Sequence, residues 1–364
     1  MIQYDVDIFY VMLYAGVTFV AAAACCYTLF RRGNAFAPDI ISSIRLRRWV
    51  AAFFAVMVLS HGWWFQLEFF RQYPDSLAYL AIAVGLDGAT LIITVAGILL
   101  SMLQDRRRSL LPVILSLLPL LVGLAVCIIR HDETFLTISI TYFQWLVLAS
   151  LLYFVYHVRQ YSYWLRDNYA DLEHKEVWKS LLVLTIFFLF FGIYGNNVSH
   201  IAYAYWVQVN DLILIALLLW RVETLQQLEP IPQEEAVSID TQTASEAALT
   251  IPSGIGTQLK ELCEDTQLYL RHDITLDELS KAIGTNRTYL STYFALEGIS
   301  YNAYINRLRI QHFVKLYRER KKQKQQFTAL ELANESGFRS YATFGLAFKR
   351  FMGQTVTSWM KEDS

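Results

Sequence analysis

Five residues able to bind a ligand or a proton interrupt otherwise apolar stretches of this chain: His61, Glu68, Asp87, Asn210 and Asp211. Such groups are costly in a low-dielectric surrounding, so they either serve a binding function or hydrogen-bond one helix to another. His61, Asp87 and Asp211 fall near the middle of their apolar segments, and Glu68 lies toward one end, in "SHGWWFQLEFF". Together they are a candidate sensor pocket for a small-molecule or proton signal, with inter-helix bonding as the competing role. No Ser/His/Asp order, HExxH, Walker loop or paired soluble carboxylates occurs, and an enzyme is not expected. The four cysteines have neither metal nor disulfide spacing. Neither a metal nor a cofactor is expected.

The elements that must position these residues are helices. With 55% hydrophobic residues, the chain exceeds the roughly 45–50% of an ordinary soluble domain. Seven apolar segments precede residue 222, at 8–30, 49–70, 77–103, 110–129, 135–157, 180–197 and 201–220. About 20 such residues cross a bilayer as a helix, which predicts a polytopic seven-helix transmembrane bundle. The loops at 31–48, 104–109 and 158–179 hold twelve Lys/Arg against two in the alternate loops. By the positive-inside rule the N-terminus faces outside and everything beyond residue 220 faces the cytoplasm. The acidic start "MIQYDVD" is unlike a signal peptide, so the first helix is expected to be retained. A multi-pass location in the cytoplasmic membrane follows, with the lipid bilayer as a partner.

Residues 222–256 are acidic, rich in Ser, Thr and Gln, and too polar to bury a core, and they read as a flexible linker. Domains are therefore expected at 1–221, 222–256 and 257–364. Beyond the linker a motif occurs twice: "TLDELSKAIG" from Thr275 and "TALELANESG" from Thr328. Each pairs Thr with Glu three residues on, a capping box, and each ends at a glycine, Gly284 or Gly337. A second short helix follows each glycine, at 286–296 and 340–351, ending before Gly298 and Gly353. Helix, short glycine turn, helix is the helix-turn-helix pattern. An amphipathic helix at roughly 300–318 joins the copies, with Tyr301, Tyr304, Ile305 and Leu308 on one face. This predicts an all-α chain, a membrane bundle followed by a soluble double helix-turn-helix domain.

On these residues, 257–361 resemble the DNA-binding domain of the AraC/XylS family of bacterial transcription regulators. "ITLDELSKAIGTNRTYLSTYFALEGISYNAYINRLRI" and "ALELANESGFRSYATFGLAFKRFMGQT" carry the resemblance. It implies a homeodomain-like fold in which each repeat sets its second helix in a major groove. The implied base contacts are Thr288, Ser291 and Thr292 in the first copy, and Tyr341, Ala342, Thr343 and Leu346 in the second. Asn286, Arg287, Arg339, Lys349 and Arg350 are the implied phosphate contacts, which position without specifying. Gly345-Leu346 replaces a commonly polar pair of that family, which leaves the first repeat as the expected main reader of sequence. Leu290, Phe294, Phe344 and Phe348 read as core.

The expected function is a membrane-anchored, one-component transcription regulator that binds promoter DNA, with the bundle as sensor or tether. A homodimer is a further expectation, and the resemblance implies RNA polymerase as a partner. Two alternatives stand beside it. One is a transporter-like membrane protein with a DNA-binding appendage; the other is a helical interaction module that has lost DNA binding.

Overall fold

The computed structural model describes residues 8–31, 41–69, 76–182, 200–228 and 254–363. Among these residues the protein is 79% helical, with no strands. Two compact units are present: Met1–Tyr161 with Val177–Leu228, and Ser162–Glu176 with Glu229–Ser364. A short segment at 162–176 thus packs with the C-terminal unit. Residues 229–253, most of the expected linker, lie outside the described set.

The first unit contains α1 (Ile8–Phe30), α2 (Ile44–Phe69), α3 (Ser76–Met102), α4 (Leu111–Leu115), α5 (Leu118–Arg130), most of α6 (Glu133–Asn168) and α7 (His200–Thr224). Five stretches among the described residues are long and apolar enough to cross a membrane: Ile8–Phe30, Leu77–Met102, Leu111–Arg130, Glu133–Asn168 and Ala202–Thr224. The expected segment at 49–70 lies in α2, whose first turns also carry Arg45, Arg47 and Arg48. Nearly all of the expected segment at 180–197 falls outside the described residues.

Two boundaries differ from the hydropathy reading. The segment expected at 110–129 is divided by a turn at 116–117 into α4 and α5. Pro119 sits in the first turn of α5 and has no N–H to bond the carbonyl of Leu115, so the helix cannot run through. The segment expected at 135–157 instead continues to Asn168 as one helix of 36 residues, about 54 Å long. Its polar end, "HVRQYSYWLRDN", contains no Gly or Pro to stop it.

Helix packing in this unit uses small residues. A Cβ on Gly97 of α3 would fall within 2.3 Å of the Trp49 indole of α2, so only glycine admits that ring. Arg47 of α2 and Glu223 of α7 form a buried pair at 2.8 Å, and the Tyr27 hydroxyl of α1 donates to the same carboxylate at 3.2 Å. Three helices are tied by one charge whose desolvation is offset only while both partners remain. Outward-facing Phe9, Phe19, Phe30, Trp145 and Leu152 are strongly exposed, an exterior compatible with a hydrocarbon surrounding.

Among the described residues the second unit holds the end of α6, the segment that follows it, and seven α-helices: α8 (Ile255–Leu259), α9 (Leu276–Ala282), α10 (Arg287–Leu296), α11 (Tyr301–Lys322), α12 (Ala329–Glu335), α13 (Tyr341–Met352) and α14 (Val356–Glu362). It has two apolar cores. Ile274, Leu276, Leu279, Leu290, Phe294, Tyr304 and Ile305 lie in one; Phe313, Leu332, Phe338, Phe344, Phe348 and Trp359 lie in the other. Helix α11 contributes to both, and so links the repeats through a continuous backbone.

Candidate nucleic-acid interface

Each repeat is built from the same local devices. Thr275 accepts from the Glu278 amide and Glu278 accepts from the Thr275 amide, and Thr328 and Glu331 do the same, so both first helices begin with a closed capping box. Gly284, Gly298, Gly337 and Gly353 all have positive φ, from 66° to 86°, which ends each helix where L side chains are strained. The second helices are capped by Asn286 and Ser340, whose side chains accept from the Tyr289 and Thr343 amides. The buried side of α10 is Leu290 and Phe294, and that of α13 is Phe344 and Phe348. The opposite sides are left for other contacts.

On α10, Thr288 and Ser291 are exposed, while Thr292 is half-buried and donates to its own helix at the Thr288 carbonyl, 2.9 Å away. On α13, Tyr341 and Ala342 are exposed and Leu346 is 75% exposed; the half-buried Thr343 is hydrogen-bonded to Ser340. Lys349 and Arg350 are exposed in the last turn of α13. Arg339, just ahead of the second recognition helix, lies 3.5 Å from Asp273 of the first repeat. Arg287, at the start of the first, donates from Nε to Asn168 Oδ1 at 3.1 Å, and from Nη2 to the same oxygen.

One arginine joins the repeats. Arg309 on α11 is 1% exposed and donates to the carbonyls of Tyr269, Arg271 and His272, while its guanidinium lies over the Phe338 ring at 5.7 Å. Burial lowers its pKa to about 10, so the group stays charged at neutral pH. The contact is close-fitting at Gly337, where a Cβ would come within 2.8 Å of the Leu270 carbonyl oxygen. His272 Nδ1 meets the Gly337 carbonyl at 3.1 Å. The two repeats are thereby held by a polar seam as well as by the connector. Cys263 is fully buried in the first core and burial pushes its thiol up to about 12, so it is inert packing.

Sequence reasoning did not single out Asn168, Asn302 or Arg309. Asn302 donates to the Tyr169 and Ala170 carbonyls at 3.2 and 2.6 Å. A signal was available for two of them: Asn302 and Arg309 stand beside Tyr301, Ile305 and Leu308 on the apolar face of α11, where a polar group must find partners.

Of the polar residues expected to form a pocket in the first unit, the structure brings His61 and Asp211 together. His61 is buried, with Nδ1 2.8 Å from the Met57 carbonyl, Nε2 3.1 Å from Gln208 Oε1, and Asp211 Oδ2 at 3.9 Å. Asp87 accepts from Ser60 at 2.7 Å and from the indoles of Trp63 and Trp64. Asn210 donates to the Trp206 carbonyl of its own helix at 2.8 Å. Glu68 belongs to α2, but its side chain lies outside the described residues. Gln208 and Ser60 are the partners that sequence reading missed, since their register against α3 and α7 is a tertiary matter.

Comparison with known proteins places a "Helix-turn-helix domain" family model on residues 279–362, which takes in parts of both repeats. Over 102 residues the chain is 31% identical to an uncharacterized HTH-type transcriptional regulator of Staphylococcus aureus strain MRSA252, and 30% identical to one of strain COL. Each match spans 27% of this chain and 13% of the relative. No solved structure gives a significant match. These likenesses support a DNA-binding regulator module in the C-terminal unit.

Proposed function

We propose that this chain is a membrane-anchored, one-component transcription regulator that binds promoter DNA through two helix-turn-helix motifs. The observation carrying this reading is the pair of capped, glycine-punctuated helix pairs joined by α11 within the segment that matches the helix-turn-helix model. Residues 257–364 hold sixteen Lys/Arg against twelve Asp/Glu, a modest bias toward a polyanion. In this reading Thr288 and Ser291 contact base edges, while Lys349, Arg350, Arg287 and Arg339 meet phosphates. The apolar helices anchor the protein in the cytoplasmic membrane, and the arginine-rich loops orient the DNA-binding unit toward the cytoplasm.

Sensing is assigned to the first unit, where His61, Asp211, Asp87 and Gln208 supply polar groups inside an apolar bundle. A signal alters output only if it binds the two states of the bundle unequally. The membrane part tethers as well as senses, and dimerisation on DNA and contact with RNA polymerase belong to the same proposal.

Footprinting with the full chain in lipid nanodiscs tests the central claim. Protection of a defined sequence, weakening steeply with salt as phosphate-bound counterions are released, is the expected result. Binding with neither sequence preference nor salt dependence would overturn it. For sensing, Asp211→Asn should alter the response of a promoter reporter without altering DNA affinity in vitro.

A further inference from the structure

The segment that follows α6 is tightly engaged with the helix-turn-helix domain. Ala170 is 1% exposed and lies in the apolar core of the first repeat, beside Ile274, Leu276 and Tyr301. Its amide donates to the Ile274 carbonyl at 3.4 Å, and Tyr169 pairs with Thr275 in an isolated antiparallel bridge. Asn302 receives the segment from below through its bonds to the Tyr169 and Ala170 carbonyls. At its start, Asn168 is 3% exposed and its side-chain oxygen takes both donors of Arg287 described above.

The positions of these contacts matter more than their number. Arg287 opens the first recognition helix, where a guanidinium would meet a phosphate. Here its acceptor is a neutral amide oxygen, a weaker partner for a cation than a phosphate oxygen. The segment "NYADLEHKE" also carries Asp171, Glu173 and Glu176 against one lysine. Lys175, 4% exposed, lies in the field of Asp171 and of the Asp273–Arg339 pair at the seam between the repeats. Buried Asp171 Oδ2 and Glu173 Oε2 have no hydrogen-bond partner among the described residues. The strap thus carries a surplus of carboxylates in the same short segment whose Asn168 holds Arg287.

We propose that residues 168–176 form an autoinhibitory strap, seated on Asn302, that occupies Arg287 and competes with duplex DNA for the first repeat. The inference rests on the DNA-binding reading given above. Strap and duplex exclude one another because both require Arg287 and because the carboxylates of the strap repel phosphates. By linkage, whatever loosens the strap tightens DNA binding, and DNA loosens the strap to the same degree. The strap continues directly from α6, whose apolar stretch begins near Glu133, so a change in that helix has a covalent route to the strap.

The test uses the full chain in nanodiscs and a fluorescein-labelled duplex of mixed sequence at low salt, since phosphate contact needs no operator. Asn168→Ala and Asn302→Ala should each bind the duplex about tenfold tighter than the parent chain. Adding Arg287→Ala should abolish the gain from Asn168→Ala. Independently of any variant, saturating DNA should speed hydrogen exchange of the amides of 169–176 in the parent chain. Equal or weaker binding by both variants overturns the strap, as does unchanged exchange across 169–176 with DNA bound. If a variant fails to fold, the exchange measurement on the parent chain decides. Absence of duplex binding by every form would overturn the regulator reading, and the strap with it.

Discussion

In the first repeat, the arginine that opens the recognition helix is held by Asn168, the exposed face offers the hydroxyls of Thr288 and Ser291, and Gly284 turns in open space. In the second, Arg339 lies 3.5 Å from Asp273, the exposed face offers Tyr341 and Leu346, and Gly337 is pressed against the Leu270 backbone. The local backbones are nearly the same, down to capping box and positive-φ glycine. What differs is the surroundings. The first presents hydroxyls and has its leading arginine held by an amide oxygen; the second presents an apolar face and is fixed to its neighbour through the seam.

Cutting the seam should have the largest effect. Arg309→Leu leaves the carbonyls of Tyr269, Arg271 and His272 without their donor, at a cost of about 4 kcal/mol. Hydrogen exchange in the full chain should then show both repeats losing protection together, because one group serves both.

The glycines sharpen the contrast. Gly337→Ala combines a φ of 86° with a Cβ only 2.8 Å from the Leu270 oxygen, and should cost roughly 3 kcal/mol. Gly284→Ala meets strain but no neighbour, and should cost about 1 kcal/mol. Urea denaturation followed by exchange in each repeat separates the two. Equal losses would mean that the seam is less rigid than its geometry.

Readout is the next step down. The double variant Thr288→Ala, Ser291→Ala should lower discrimination between a selected site and mixed-sequence DNA by about 1 kcal/mol. Leu346→Ala should leave discrimination within measurement error. Competition binding compares them, and a larger effect from Leu346 would reverse the assignment of the two repeats.

The smallest effect concerns the shared connector. His312 on α11 lies 3.2 Å from the Tyr269 hydroxyl, and burial, then the nearby Lys315 charge, hold its pKa below the ordinary 6.5. The folded state thus disfavours the imidazolium. Its contribution is complete above about pH 6.5 and is lost as pH falls toward the folded value. His312→Gln should flatten that part of the stability–pH profile measured by thermal unfolding.

Much of the helix-turn-helix unit was legible in the sequence because its determinants are local. A Thr three residues before a Glu closes a capping box without help from distant residues, and a glycine takes positive φ wherever a helix must stop. The apolar period of Tyr301, Ile305 and Leu308 likewise assigned the core face of α11. Among the described residues hydropathy found five stretches long and apolar enough to cross a membrane, but it missed the break inside 110–129 and the extension of 135–157 to Asn168. Whether a helix stops at a polar boundary depends on a breaker being present: Pro119 supplies one, and 158–168 has none.

Only the tertiary structure decided where the polar side chains of the second unit go. Asn302 and Arg309 stand on the apolar face of α11, which marks them as needing partners, but only the fold shows that those partners are carbonyls far along the chain. Asn168 lies 119 residues from the arginine it holds. No periodicity encodes such a pairing, because a buried donor is satisfied by whichever acceptor the packed fold brings to it. The repeats, their caps and their turns follow from local sequence; the fold brought Asn168 to Arg287 and set the buried Arg309 across the seam between the repeats.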